Sequence, residues 1–163
     1  MNPDTQYVES FQRSLNFDFE NLNCDFPTAI CSLIAEFAEL DAAVMSNNSK
    51  EVLLELGDCF CYLAISLNLS GFQISSIISN SRNDCLKFSS IACVSEVAQK
   101  RNRPNYSLIQ NTRLQIPFQD MLSYLLHISE NFGFSISQVL ETNLHKIQFR
   151  KNIGYGEKSG GFN

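Results

Sequence analysis

Residues 27–71, PTAICSLIAEFAELDAAVMSNNSKEVLLELGDCFCYLAISLNLSG, decide the fold. Pro27 suits the first turn of a helix, where its missing N–H costs nothing, and Ile30, Leu33, Ile34, Phe37 and Val44 lie on one apolar stripe running to about Ser46. Asn47, Asn48 and Ser49 make a short turn, and a second helix from about Lys50 to Leu69 stops at Ser70 and Gly71. The product is a helical hairpin. Outward from it the chain holds prolines only at 3, 27, 104 and 117, and glycine is scarce before the tail, so long helices meet few breakers. The expectation is an all-α antiparallel helix bundle. A short helical segment at about Tyr7–Leu15 precedes the hairpin.

The chain repeats itself. A shift of 62 places lays Asp58–Ile78 on Asp120–Leu140 without a gap, and seven of 21 positions coincide: Asp58/Asp120, Tyr62/Tyr124, Leu63/Leu125, Gly71/Gly133, Phe72/Phe134, Ile74/Ile136 and Ser75/Ser137. Chance alone gives roughly one or two matches, so an internal duplication is expected, with repeat 1 over about 26–81 and repeat 2 over about 86–151. A shift of 60 also places Ala35–Glu39 on Ser95–Gln99. Two such units should pack about a pseudo-twofold axis, each covering the other's apolar face. Residues 1–153 then form one domain and 154–163 a flexible Gly-rich tail.

At 163 residues, 44% hydrophobic and 18% charged, the chain can bury one core. A net charge of −5 argues against stable nucleic-acid binding, which rests on phosphate neutralisation. The charge is unevenly spread. Residues 1–81 carry eleven acids and two bases, whereas 82–163 carry six acids and ten bases. One half could hold cations and the other phosphates. The opening MNPDTQYVES has no basic n-region and no apolar h-region, and the uncharged run Cys59–Ser81 is too polar for a membrane span, so a cytoplasmic protein without a membrane partner is expected. The cysteines (Cys24, Cys31, Cys59, Cys61, Cys85, Cys93) include no CxxC pair and read mostly as small buried apolar side chains.

Chemistry concentrates in Glu36-x-x-Glu39, fifteen intervening residues, and Glu55-x-x-Asp58. Residues three apart share a helix face, so each arm of the hairpin presents two carboxylates, and a tight hairpin sets the pairs opposite each other. Acids at this spacing also decorate solvated faces. Glu55 and Asp58, however, are the only charges from Val52 to Ser81, on a helix apolar nearly all round, and charges there need partners. Four converging carboxylates repel unless cations sit among them, and hard oxygen ligands suit Mg²⁺ or Mn²⁺. His127 and His145 read as ordinary helix residues. Phe11, Phe17 and Phe26 could stack a base, although with thirteen Phe and no Trp most are core by default.

Glu36-Phe37-Ala38-Glu39 with Glu55-Leu56-Gly57-Asp58, the lead-in Tyr7…Phe11-Gln12, and the closing Gly133–Leu140 followed by Asn143-Leu-His-Lys146-Ile-Gln-Phe-Arg150 resemble the MazG-type nucleotide pyrophosphohydrolases. These belong to the all-α NTP pyrophosphatase superfamily, with the dimeric dUTPases, and the likeness covers nearly the whole chain. The duplication makes this chain look like a pseudo-dimer. The resemblance implies Mg²⁺, with Mn²⁺ as a substitute, held by Glu36, Glu39, Glu55 and Asp58, and hydrolysis of a nucleoside triphosphate to monophosphate and pyrophosphate. One carboxylate would take the proton of the attacking water, Glu36 or Glu39 being the guess. In repeat 2 Glu39 aligns with Gln99 and Glu55 with Pro117, leaving Glu96 and Asp120, while Asn143 and Lys146 align with Ser81 and Asp84 in repeat 1. A single composite site is expected, with Asn143, Lys146 and Arg150 on phosphates or sugar. The alternative is a catalytically inactive regulatory or assembly module of the same fold that keeps the metal. A homodimer of such chains, and the base and sugar of the substrate, stay open.

Overall fold

The structure, a computed structural model, describes residues 24–73, 77, 84–101 and 112–152, with backbone alone at 101 and 150–152. The described residues form an all-α helix bundle: α1 (Phe26–Met45), α2 (Ser49–Ser70), α3 (Phe88–Arg101), α4 (Gln115–Asn131) and α5 (Ile136–Asn152). The segment at 7–15, Phe11, Phe17 and the tail at 154–163 lie outside the described residues.

Local signals set the hairpin. Asp25 caps α1, its carboxylate accepting from Thr28 N at 2.8 Å, and Pro27 sits in the first turn. Asn47 turns the chain at φ +52°, a left-handed conformation that asparagine tolerates, and Asn48 caps α2 by accepting from Glu51 N at 3.3 Å. Gly71 at φ +77° then ends α2, with Phe72 N donating to Leu67 O at 2.9 Å. Gly133 at φ +73° ends α4 the same way, with Phe134 N donating to Ser129 O at 2.9 Å. The positions paired by the sequence repeat thus make the same helix stop.

The core forms around α2, which packs against α1, α4 and α5, while α1 also meets α3, and α4 meets α3 and α5. Leu56, Phe60, Leu63 and Leu67 of α2 are fully buried with Ile30, Leu33 and Leu40 of α1 and Leu114 and Phe118 near the start of α4. Each such side chain contributes about 1.5–3 kcal/mol of apolar transfer. By length and composition alone α2 could cross a membrane, but most of its apolar window is buried inside the bundle, as suits a core helix.

Phe26 is 2% exposed and seated in the core at the start of α1, the default for a chain so rich in phenylalanine, and it offers no face to a base. One expectation is corrected. Of the six cysteines, expected to be mostly buried, only Cys59 and Cys61 are; Cys24 and Cys93 are half-buried, and Cys31 and Cys85 are exposed.

Candidate metal centre

Glu36 and Glu39 project from α1 toward Glu55 on α2, and one carboxylate oxygen from each lies within 4.8 Å of the other two. Three of the four acids expected from the ExxE and ELGD pattern therefore converge. Glu36 and Glu55 are half-buried and Glu39 is exposed, so the cluster has a wet side and a dry side. On the dry side Glu55 Oε2 is buried and finds no hydrogen-bond partner among the described residues. A buried carboxylate oxygen without a donor is costly, and either a proton or a bound cation relieves it.

The electrostatics agree. Burial, then the charges of Asp58, Glu39 and Glu55, push the Glu36 carboxyl up to about 7, with Lys146 opposing. Burial and then the Asp58 charge raise Glu55 also, opposed by Lys146 and by a hydrogen bond with Glu36. Crowded carboxylates that resist ionising together could hold a divalent ion among them. The Cys61 thiol is pushed up to about 12 by burial and by the Asp58 and Glu36 charges, which keeps it protonated in the metal-free protein.

The fourth acid behaves differently. Asp58 is turned toward α5, where Asn143 Nδ2 donates to Oδ1 at 2.7 Å and Lys146 Nζ is paired with Oδ2. Sequence reasoning places Asn143 and Lys146 at the same site as the acids; the structure does bring them there, but onto Asp58. The side chain of Arg150 lies outside the described residues. What makes the approach possible is Gly57, which that reasoning passed over: a Cβ there would stand 2.8 Å from Asn143 Cβ. A glycine inside a buried helix, one residue before a candidate ligand, was the available signal.

An open depression of about 310 Å³ adjoins the cluster, lined by Glu39, Ala42, Ala43, Ser46, Glu51 and Glu55. Glu51, one turn before Glu55, adds a carboxylate to its rim, and the i, i+4 spacing made it readable. Glu96 and Asp120, which the sequence repeat lays on Glu36 and Asp58, are paired elsewhere. Asp120 is buried, accepting from Lys87 Nζ at 2.9 Å and Ser90 Oγ at 2.7 Å. Glu96 is paired with Lys100 and, at 3.4 Å, with Arg113. His127 is 2.8 Å from the Asn131 amide, and His145 is exposed. No family model, curated protein or solved structure matches the chain.

Proposed function

We propose that this chain is a metal-dependent nucleoside triphosphate pyrophosphohydrolase of the MazG-like, all-α type, with one composite site per chain. The observation that carries the reading is the convergence of Glu36, Glu39 and Glu55 within 4.8 Å around a buried, unpartnered Glu55 oxygen. These three would hold Mg²⁺ or Mn²⁺, with Asp58 at hand as a fourth carboxylate. A bound divalent ion would neutralise phosphate oxygens and supply Lewis acidity. The hairpin's part is to fix the carboxylates without reorganisation, since each stands on a helix locked by core packing. Glu39, exposed at the mouth, and Glu36 beside it are placed to accept a proton from water. Lys146 brings a cation to the same end of α2, as a triphosphate requires, while Asn143, buried and donating to Asp58, supports the carboxylate instead of meeting phosphate or sugar. The oppositely charged halves of the chain support that division of labour.

Further support for the duplicated form comes from the matching helix stops at Gly71 and Gly133. Lys87 pairs with Asp120, to which Ser90 also donates, and Lys100 and Arg113 pair with Glu96, so these acids already have counter-charges and call for no second cation.

One observation favours a second reading, a metal-binding module without hydrolysis: Asp58 is engaged by Asn143 and Lys146 instead of joining the glutamates. The test is pyrophosphate release from a panel of NTPs, dNTPs and dUTP with Mg²⁺ or Mn²⁺. Release by wild type that Glu55→Gln abolishes supports the enzyme, and metal binding without release from any nucleotide supports the module.

A further inference from the structure

Asp58 stands between two claims on its charge. On one side are Glu36, Glu39 and Glu55, the proposed cation ligands; on the other is the ammonium of Lys146, with side-chain exposures of 25% for Lys146 and 16% for Asp58. Lys146 is also the cation that offsets the charge on both Glu36 and Glu55, so it serves the whole acidic group. Asn143 is 2% exposed, and while its Nδ2 is given to Asp58, its Oδ1 is buried without a hydrogen-bond partner among the described residues. An amide that spends its donor on a carboxylate and leaves its acceptor bare is anchored for the carboxylate's sake. Gly57 seats that amide, since any side chain there would collide with it.

From this we infer that Lys146 is an internal counter-ion which competes with a divalent cation for Asp58, while Asn143, seated on Gly57, holds the carboxylate in place through the exchange. The inference rests on the metal-site reading above and concerns its regulation. Without metal the ammonium relieves the repulsion among the acids. A dication gathered by the three glutamates repels an ammonium bound to the next carboxylate, and the interaction is strong because the pair is shielded from water. Metal capture therefore frees the Lys146 ammonium at the mouth of the site, where an anionic ligand can take it up. Order follows: cation first, anion second.

Pulse acetylation of the full chain with acetic anhydride, read residue by residue by mass spectrometry, reports the state of Lys146 directly. Lys87, paired with Asp120 on the other hairpin, is the internal reference. With saturating Mn²⁺, its binding verified by calorimetry, Lys146 should label about threefold faster or more than in chelator, because an amine released from its ion pair with Asp58 is open to the reagent. Lys87 should label equally in both. In Asp58→Asn, Lys146 should label fast with and without metal. Equal labelling of Lys146 in the wild type with Mn²⁺ bound would overturn the exchange and leave the metal site standing. Failure of Mn²⁺ to bind at all would overturn both.

Discussion

The side chain of Asn143 donates to Asp58 Oδ1 over 2.7 Å, although 85 residues separate the two along the chain. This contact and the Lys146 pair dock α5 on α2 at the acidic end of the hairpin. Their geometry depends on a missing atom, the Cβ of Gly57, which would stand 2.8 Å from Asn143 Cβ.

Gly57→Ala therefore opposes two effects. Alanine in a helix interior gains about 0.5–1 kcal/mol over glycine, but overpacking against a Cβ that cannot swing away costs about 1–3 kcal/mol. The expected net result is destabilisation by about 1 kcal/mol, with α5 loosened. Denaturant titration of the variant measures the first, and faster hydrogen exchange in α5 the second.

That docking marks where sequence reading stops. The hairpin was legible because Pro27, Asn47, Asn48 and Gly71 act locally, each through its own backbone preference. The convergence of Glu36, Glu39 and Glu55 was legible because helix spacing and a short turn leave little freedom. The orientation of Asp58 was not, because its partners arrive from a helix whose placement depends on the entire core. The pairing of Tyr124 with Asp41, at 2.5 Å, likewise joins residues that no local spacing connects.

Stability of the metal-free protein should fall as pH rises from about 4.5 to about 7 through the contribution of Glu36. Its carboxyl is pushed up to about 7 in the folded state from an ordinary value of 4.5, first by burial and then by neighbouring carboxylates, so the folded chain holds a proton that the unfolded chain releases. The favourable contribution is complete below the lower value and lost through the upper one. Glu36→Gln should flatten the slope, and saturating Mg²⁺ should reverse it. Urea titrations at a series of pH values, in chelator and in Mg²⁺, check the sign.

Asp120→Asn should cost about 1–3 kcal/mol, since it weakens charge-assisted bonds at a buried position. Lys87 and Ser90 lose an ionised acceptor there. The stabilisation of the variant by Mn²⁺ should equal that of wild type, because Asp120 lies on α4 and is not among the converging glutamates. Thermal unfolding with and without Mn²⁺ separates the two quantities.

Leu63→Ala removes a fully buried side chain from the middle of α2 and should destabilise by about 2–5 kcal/mol. Thermal unfolding should show the loss with and without metal alike.

The most direct test of the central claim is calorimetric titration of Mn²⁺ into wild type and Glu55→Gln, each shown to be folded by circular dichroism. A divalent ion held by Glu36, Glu39 and Glu55 requires saturable binding to wild type and affinity lower by on the order of tenfold or more when the buried Glu55 oxygen loses its charge. Equal affinity in the two proteins, or no binding to either, would contradict it.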